Sequence, residues 1–257
     1  MSNIHETAII YDGAEIAEDV IIGPYSTIGP QVKIGKGTIV ESHVVIDGET
    51  VIGENNKIFS FASVGKESQD LKYKGEATRT IIGNNNKIRE FVTIHRGTTQ
   101  NWETKIGDNN LIMAYVHVAH DCIIGNGCIL ANNATLGGHA IMEDFSYVGG
   151  LTPVHQFCKI GTHAFVGGAS SINQDIVPFC LAEGAKGGPW AINAIGLKRK
   201  GYSDETLRNL KETFKIIFRS KMRLEEAVAK VKEEYGNDDN VKIMLDFIAK
   251  SDRGIAR

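Results

Sequence analysis

Four of the eight histidines in this 257-residue chain are His117, His120, His139 and His155, which fall within one short stretch. A histidine side chain serves as a general base near neutral pH, and neutral imidazoles also bind Zn²⁺. The carboxylate of Asp121 directly follows His120, and two glycines precede His139, where they leave room for a substrate carbonyl. Because backbone N–H groups at such a place stabilise an oxyanion, the pattern favours a general base beside an oxyanion site over a bound metal.

A six-residue period predicts how these side chains are positioned. Every sixth residue from Ile4 to Ile172 is Ile, Val, Leu or Met at 26 of 29 positions, and the exceptions are Asp70, Glu76 and Gln100. This period is neither that of a single strand nor that of a helix, and it is typical of a solenoid. Three hexads close one triangular coil, so equivalent residues of successive coils stack about 4.8 Å apart.

The repeat resembles that of the hexapeptide-repeat proteins, and this resemblance implies an all-β, left-handed parallel β-helix. A small α-helical C-terminal domain is predicted to follow it. We assign residues 1–188 to the β-helix, with two inserted loops at about 66–80 and 98–105, and residues 189–257 to the helical domain. Acyltransferases, carbonic anhydrases and inert scaffolds share this fold, so the repeat by itself predicts no function.

The phase of the repeat predicts which residues share a face of the prism. One face is formed by the anchors Ile46, Val64, Ile94, Val118, Leu136 and Val154. Both insertions therefore leave from the same side. On that side His120, His139 and His155 fall on consecutive coils, and we expect them to form one column with His117 at the preceding corner.

The position of each residue within its hexad makes two predictions about the interior of the prism. Asn56, Asn86 and Asn110 share one hexad position, so we expect a stacked ladder of asparagine side chains. Three cysteines fall at positions that are small and inward-facing in other hexads, which argues against disulfide or metal roles. These are Cys122, Cys128 and Cys158.

Apolar residues at helical spacing predict three helices after the last hexad. Ser203-Asp-Glu-Thr is typical of a helix N-terminus, and the residues that follow at this spacing are Leu207, Leu210, Phe214, Ile217 and Phe218. A second helix is predicted from Leu224 to Tyr235, with Leu224, Ala227, Val228 and Val231 on one side. A third, from about Val241 to Lys250, is predicted to bury Ile243, Met244, Phe247 and Ile248.

Charge is unevenly distributed along the chain. Residues 1–197 hold 13 Lys or Arg and 20 Asp or Glu, whereas residues 198–257 hold 15 and 11. A basic C-terminal domain on an acidic body predicts an acidic partner, and the acidic chain as a whole argues against nucleic acid. No apolar run has membrane-spanning length and the first residues lack a signal-peptide layout, so we expect a cytoplasmic protein without stable membrane insertion.

Seven local strings resemble the acyl-carrier-protein:UDP-N-acetylglucosamine O-acyltransferases, the family that begins lipid A biosynthesis. They are Gln69-Asp-Leu-Lys-Tyr73, Ile94-His-Arg-Gly97, Ala119-His-Asp-Cys122, Leu130-Ala-Asn-Asn-Ala-Thr135, Gly138-His139, Val154-His-Gln-Phe157 and Gly196-Leu-Lys-Arg199. The resemblance implies transfer of an (R)-3-hydroxyacyl chain from acyl carrier protein to the 3-hydroxyl of UDP-N-acetylglucosamine. It also implies a homotrimer with active sites between subunits, and no metal or bound cofactor.

The resemblance implies roles for individual residues as well. His120 is then the general base, Asp121 orients it, and the backbone N–H of Gly138 stabilises the oxyanion. Contacts with substrate are implied for Asp70, Lys72, His117, His139, His155, Gln156, Gly168, Asn193, Arg199 and Lys200. Lys200 stands where the family has a second arginine, so it keeps the charge but loses the bidentate geometry. The glycine at position 168 implies room for a long acyl chain.

Nine basic and three acidic residues lie between Lys198 and Arg223. Acyl carrier proteins are strongly acidic, so a basic surface beside the active site would suit the donor. We therefore predict a docking patch for the carrier protein among Lys198, Arg208, Lys211, Lys215, Arg219, Lys221 and Arg223.

Two other functions remain to be weighed at this point. A zinc carbonic anhydrase of the same fold would use three of the stacked histidines as ligands, although the His117-x-x-His120 spacing and the glycine before His139 favour a base. An ice-binding or scaffold β-helix needs ranks of threonine or a featureless face, whereas this chain has His, Asp and Lys there.

Overall fold

Short strands form at the apolar position of each hexad because a branched aliphatic side chain pointing inward is followed by a tight corner. The computed structural model describes residues 3–185 and 187–257, and it stacks these strands into three parallel sheets. The corners use a left-handed backbone at the fourth hexad position, as at Asp121 (φ 59°) and His139 (φ 62°). This arrangement confirms the predicted left-handed parallel β-helix with a helical C-terminal domain.

The three sheets form the faces of a triangular prism. Sheet A contains β1 (Asn3–Ile4), β4 (Ile21–Ile22), β7 (Ile39–Val40), β10 (Lys57–Ile58), β13 (Lys87–Ile88), β16 (Leu111–Ile112), β19 (Ile129–Leu130), β22 (Tyr147–Val148), β25 (Phe165–Val166), β26 (Cys180–Glu183) and β27 (Gly188–Ile192). Sheet B contains β2 (Ile9–Ile10), β5 (Thr27–Ile28), β8 (Val45–Ile46), β11 (Ser63–Lys66), β14 (Thr93–His95), β17 (His117–Val118), β20 (Thr135–Leu136) and β23 (Pro153–Val154). Sheet C contains β3 (Glu15–Ile16), β6 (Lys33–Ile34), β9 (Glu49–Ile52), β12 (Arg79–Ile82), β15 (Glu103–Ile106), β18 (Ile123–Ile124), β21 (Ile141–Met142) and β24 (Lys159–Ile160).

Each anchor residue lies directly above its counterpart in the coil below. Val118 pairs with Leu136, and Leu136 pairs with Val154, so the predicted shared face is sheet B. From Ile22 to Ile172 the aliphatic anchors are almost fully buried and fill the prism, whereas Ile4 at its N-terminal end is 37% exposed. Cys122, Cys128 and Cys158 are buried and unbridged among them, as their positions predicted.

The two insertions leave the prism at one corner, between sheets B and C. The first connects Lys66 of β11 to Arg79 of β12, and the second connects His95 of β14 to Glu103 of β15. Because both begin at the end of a sheet B strand, they lie on the same side, as the phase predicted.

The predicted asparagine ladder is present at the corner between sheets C and A. Asn56, Asn86 and Asn110 are buried, and Nδ2 of Asn86 donates to Oδ1 of Asn56 at 3.0 Å. The backbone N–H of Asn110 donates to Oδ1 of Asn86 at 2.9 Å, and Cys128 N–H donates to Oδ1 of Asn110 at 2.7 Å. The ladder satisfies backbone groups that would otherwise be buried without partners.

The C-terminal domain begins with a hairpin that the hexad pattern did not predict. β26 continues sheet A in parallel with β25, and β27 returns antiparallel to it, so the predicted boundary after residue 188 falls at the start of β27. Four helices follow, namely α1 (Ala194–Arg199), α2 (Asp204–Arg219), α3 (Leu224–Tyr235) and α4 (Asp239–Ala249). Residues 1, 2 and 186 of the predicted first domain lie outside the described part of the chain.

The helices agree with the predicted ones in α2 and α3 and differ elsewhere. The Ser203 hydroxyl accepts from Thr206 N–H at 3.1 Å and begins α2 as expected. The helix α4 begins two residues before its predicted start because the Asp238 carboxylate caps it. Ile243 was predicted to be buried but is 41% exposed. The short α1 was not predicted. No helix in the described ranges is long and apolar enough to cross a membrane.

Candidate active site

The histidines at the corner between sheets B and C lie on consecutive coils, but they do not form the single column that we predicted. His120 is two residues beyond its anchor, His139 is three beyond and His155 is one beyond. They therefore occupy three different positions around the corner. The ring stacked on His139 is that of Phe157, with centroids 4.5 Å apart.

The Asp121 carboxylate is the centre of the site. Its side chain is fully buried, and Oδ2 accepts a hydrogen bond from Nδ1 of His120 at 2.8 Å. Thr98 donates its backbone N–H to Oδ1 at 2.9 Å and its hydroxyl to Oδ2 at 2.6 Å. Burial raises the pKa of Asp121, but the hydrogen bonds from His120 and Thr98 outweigh burial and hold this pKa below its usual value. The carboxylate is therefore ionised, and the proton of His120 lies on Nδ1.

The free nitrogen of His120, Nε2, faces Gly138. A Cβ at position 138 would lie 2.5 Å from Nε2 and from Cε1 of His120, so the imidazole occupies the space that any larger residue would need. Asp70 of the first insertion approaches from the other side, with Oδ2 4.0 Å from Nε2. A hydroxyl placed between these groups would be within reach of a base whose orientation is fixed.

The backbone N–H of Gly138 has no acceptor among the described residues. At the corner between sheets C and A, corresponding N–H groups are capped by side chains of the next coil, as where Asn84 N–H donates to Asp108 Oδ1 at 2.6 Å. Gln156 lies one coil above Gly138 and provides no such cap. An uncapped N–H next to a general base is suited to an oxyanion.

His139 is perpendicular to His120, with ring centroids 5.2 Å apart. Its Nε2 lies 3.5 Å from Oδ2 of Asp121, and its Nδ1 lies 3.5 Å from Nδ2 of Asn101 on the second insertion. Burial lowers the pKa of His139, and a charge on nearby His120 would lower it further, against the opposing effect of Asp121. His139 is therefore a neutral side chain that can donate or accept a hydrogen bond toward substrate.

A second pair of imidazoles lies below His120. His117 accepts or donates a hydrogen bond with the Thr93 hydroxyl at 2.7 Å, and its ring meets His95 edge-on at 5.0 Å. Burial and the neighbouring His117 lower the pKa of His95 to about 4, and burial also lowers the pKa of His117. We had not singled out His95, although it immediately follows an anchor on the same face.

The insertions meet beside His120 around a cavity of about 150 Å³. Its lining residues are Asp70, Lys72, Tyr73, Glu76, Thr98, Thr99 and Gln100. All three exceptions to the apolar period, Asp70, Glu76 and Gln100, are therefore here. Oδ1 of Asp70 accepts from the Lys72 N–H at 2.9 Å, which forms a tight turn and leaves the Lys72 side chain exposed.

His155 and Gln156 lie at the surface, one coil above Gly137 and Gly138. Nδ1 of His155 donates to the Gln156 carbonyl at 3.1 Å, which leaves Nε2 available. Both residues share the corner with His120 and can extend the site toward the C-terminal end of the prism.

The remaining predicted substrate residues lie at other corners of the same chain. Asn193 donates to the His163 carbonyl at 3.1 Å, and Nζ of Lys200 lies 4.8 Å from the ring centre of Phe145, at the corner between sheets C and A. Asn193 and Arg199 line a cavity of about 490 Å³ between sheet A and α1. Gly168 is at the corner between sheets A and B. The predicted substrate residues therefore form two sets, one beside His120 and one of Asn193, Arg199 and Lys200, with Gly168 at the third corner.

The possibility of a metal centre can be tested on the residues present. Ligand atoms of His120, Asp121 and His139 lie within 4.8 Å of one another. However, both oxygens of Asp121 already accept hydrogen bonds, from Thr98 and His120, and a metal ion would have to displace them. His155 is not part of this group, which among the described residues contains two histidines and not the three of a three-histidine zinc site. The arrangement fits a base and its orienting carboxylate better than it fits zinc.

All seven residues predicted to dock a carrier protein are exposed, but they differ in their contacts. Lys198, Arg208 and Lys211 line one open cleft of about 410 Å³ between α1 and α2. Lys215 pairs with Glu212 at 2.7 Å. Arg219 donates to the Trp190 carbonyl at 3.2 Å and lies over Phe214, so part of its role is to attach α2 to β27.

Comparison with known proteins is consistent across the whole chain. The model of Udp N-acetylglucosamine O-acyltransferase domain 2 matches residues 175–256, and the bacterial transferase hexapeptide model matches residues 2–36, 13–48 and 103–138. The solved structure of LpxA from Acinetobacter baumannii is 49% identical, with a TM-score of 0.97 over 99% of this chain and 100% of that one. A UDP-N-acetylglucosamine acyltransferase from Campylobacter jejuni is 43% identical, with a TM-score of 0.93 over 98% of each chain. The enzyme of that name from Moraxella catarrhalis is 42% identical, with a TM-score of 0.96 over 99% of this chain and 100% of that one.

The low pKa of His95 predicts a pH dependence of stability. An unfolded-state histidine binds a proton below about pH 6.5, whereas folded His95 binds one only near pH 4. The unfolded state therefore gains protons first, and the free energy of unfolding falls as the pH is lowered from about 6.5 to about 4. When the free energy of unfolding is measured with urea at several pH values, it should fall less steeply toward low pH for His95→Gln than for the wild type. His5→Gln, at an exposed position, is the control. An identical profile for His95→Gln would contradict this assignment.

Proposed function

The chain belongs to the family of UDP-N-acetylglucosamine O-acyltransferases, and we propose that it transfers an (R)-3-hydroxyacyl chain from acyl carrier protein to the 3-hydroxyl of UDP-N-acetylglucosamine. This reaction is the first step of lipid A biosynthesis. The observation that carries the proposal is the buried Asp121 carboxylate on Nδ1 of His120, with Nε2 of His120 over Gly138.

The mechanism is direct transfer without a covalent enzyme intermediate. Nε2 of His120 takes the proton of the sugar 3-hydroxyl while its oxygen attacks the thioester carbonyl carbon. The tetrahedral oxyanion is stabilised by the Gly138 N–H. When this intermediate collapses, the C–S bond breaks and the departing thiolate takes the proton from His120. No cysteine serves as nucleophile, because burial raises the pKa of Cys122 to about 12.

The remaining residues of this corner bind the acceptor. Asp70 and His139 lie next to His120, and His155 and Gln156 lie one coil above Gly137 and Gly138. These four side chains offer hydrogen-bonding groups to sugar hydroxyls and the N-acetyl group. Lys72, exposed at the tip of the first insertion, is suited to a phosphate of the nucleotide or of phosphopantetheine. His117 is proposed to line the same pocket as a neutral side chain, because burial lowers its pKa.

The reaction as proposed requires no metal and no bound cofactor, since the acyl chain arrives on the carrier protein. Support comes from the hydrogen bonds that occupy both oxygens of Asp121. Carbonic anhydrase chemistry, the alternative raised by the histidines, is not favoured by this geometry or by the family to which the chain belongs. The four unbridged cysteines agree with a reaction in the reducing cytoplasm.

We propose a homotrimer in which the active site is completed by a neighbouring subunit. Arg199, Lys200 and Asn193 lie at a different corner from His120, so in one site the two sets would come from two copies. A ladder of exposed stacked rings runs along the corner between sheets A and B, where Gly168 also lies. Its members are Tyr25, His43, Phe61, Phe91 and Tyr115, with neighbouring centroids 4.8–5.1 Å apart. An exposed apolar ladder of this length favours contact with another copy.

Transfer is tested with UDP-N-acetylglucosamine and 3-hydroxyacyl carrier proteins of several chain lengths. We expect His120→Ala to lower kcat by at least ~100-fold because the base is lost. Gly138→Ala should lower kcat by ~10-fold or more, since its Cβ displaces the imidazole. Gly188→Ala is the matched control, because a Cβ there meets no atom within 4 Å.

Three outcomes of this assay would contradict the proposal. The first is a His120→Ala variant with near wild-type kcat. The second is a preference for the 3-amino analogue of the sugar nucleotide over the 3-hydroxyl acceptor. The third is stoichiometric zinc in the purified protein together with loss of activity on chelation. A preference for short acyl chains would contradict only the role of Gly168.

Subunit mixing tests the shared site. The variants His120→Ala and Arg199→Ala/Lys200→Ala are each expected to be inactive alone. When the two chains are co-expressed, we expect about a quarter of wild-type activity, because about a quarter of the interfaces combine an intact His120 with an intact Arg199 and Lys200 on random mixing. Mixing His120→Ala with Asp121→Ala, which damage the same corner, should give no recovery. Recovery in neither mixture, or a monomeric mass by light scattering, would rule out a site shared between subunits.

The cleft lined by Lys198, Arg208 and Lys211 is proposed to bind the acidic carrier protein. Lys215 and Arg219 on α2, and Lys221 and Arg223 between α2 and α3, extend the basic surface. Arg208→Glu/Lys211→Glu should raise KM for the acyl carrier protein several-fold, leave KM for the sugar nucleotide unchanged and flatten the salt dependence. Lys232→Glu, exposed on α3, is the control. An unchanged KM for the carrier protein would place the docking surface elsewhere.

A further inference from the structure

The second insertion, residues 96–102, brings an additional residue to the base. Thr98 lies in this loop with only 9% of its surface exposed. It uses both of its hydrogen-bond donors on one carboxylate, its backbone N–H on Oδ1 of Asp121 and its hydroxyl on Oδ2. Oδ2 is also the oxygen that accepts from Nδ1 of His120. Thr98 and His120 are therefore joined through a single oxygen atom.

The loop around Thr98 is held firmly on both sides. The Thr78 hydroxyl donates to the Gly97 carbonyl at 2.6 Å, and the Trp102 N–H donates to the Thr98 carbonyl at 2.7 Å. A Cβ at Gly97 would lie 2.5 Å from the backbone N of Glu103, so the loop closes more tightly than other residues would permit. On the far side of the carboxylate, the Asp121 N–H donates to the Thr104 hydroxyl at 2.8 Å.

We propose that Thr98 is a positioning residue of the acyl transfer reaction, which fixes the Asp121 carboxylate so that His120 presents Nε2 to the acceptor hydroxyl. This inference rests on the proposed function and extends it to a loop outside the hexad pattern. Asn101 of the same loop approaches His139, so the insertion contacts both the Asp121 carboxylate and the His139 ring beside it.

The hydroxyl has a specific electrostatic effect. A buried carboxylate is stable only when donors compensate its charge, and those around the Asp121 oxygens are His120 and the two groups of Thr98. Without the Thr98 hydroxyl, Oδ2 of Asp121 keeps more of its negative charge and holds the proton that it shares with Nδ1 of His120 more tightly. The carboxylate is also freer to rotate about its bond to Cβ, which loosens the imidazole. Both changes affect the chemical step and leave substrate binding nearly intact.

The test compares Thr98→Val, which preserves shape but lacks the hydroxyl, with Thr98→Ser, which restores it. Thr98→Val should lower kcat by ~10-fold to 100-fold, leave both KM values within about twofold, and move the acidic limb of kcat/KM to higher pH. Thr98→Ser should recover most of kcat and return the acidic limb of kcat/KM to its wild-type pH. Thr27→Val, on β5, which three strands of sheet B separate from β17, is the matched control. The titratable groups around His120 are unchanged in every variant, namely Asp121, Asp70, His139, His117 and His95.

A second readout does not depend on activity. The Nδ1 proton of His120, shared with Asp121, should give a downfield proton resonance that is absent in His120→Ala. Thr98→Val should shift or broaden this resonance, and Thr98→Ser should restore it. If the wild type transferred no acyl chain while the resonance responded in this way, the proposed function would fail and the positioning role would stand. The positioning role would be overturned if Thr98→Val kept the wild-type kcat, the wild-type acidic limb of kcat/KM and the wild-type His120 resonance. It would also be overturned if Thr98→Val and Thr98→Ser lowered kcat equally.

Discussion

Parallel hydrogen bonding between successive coils is the constraint on which the rest of this structure depends. Val118, Leu136 and Val154 stack in register, so one extra residue within a strand would turn every later anchor out of the core. Additional residues are therefore accommodated at corners. Both insertions leave at the corner between sheets B and C, and the polar residues that interrupt the period meet there around one cavity beside His120. The rule that builds the core thus also concentrates the chemistry at one edge.

The corner can hold an ionised carboxylate because its donors come from elements that are already rigid. Moving Asp121 out of water is costly, and the cost is offset by hydrogen bonds from its own coil and from the second insertion. Asp121 occupies the positive-φ position of its corner, where Phe91 and Tyr115 of other corners are exposed, and it is buried because Thr98 of the second insertion covers it. Such fixed dipoles need no reorganisation when charge develops on the imidazole, and this property is what makes a preorganised site effective.

The period predicts much of this arrangement from sequence because it determines the coil on which each residue lies. It identified sheet B, the side of both insertions and the asparagine ladder. It does not determine the direction of a side chain within a corner, so His120, His139 and His155 occupy three positions where we expected one column. Thr98 and Asn101 could not be found at all, because they lie in an insertion without the repeat and their contacts with Asp121 and His139 depend on the loop's closure. The hairpin of β26 and β27 lies outside the repeat for the same reason.

The histidines next to His120 remain neutral and therefore do not oppose proton uptake by its Nε2. Burial lowers the pKa of His95, His117 and His139, so these rings stay uncharged near neutral pH. A cation beside His120 would oppose proton uptake by Nε2, and neutral rings avoid that repulsion. Only His120 has the Asp121 carboxylate directly on Nδ1, where it stabilises the imidazolium that forms during transfer. The cluster of imidazoles, for which zinc binding was the alternative weighed from sequence, is thus arranged so that one ring carries the proton and the others remain neutral around it.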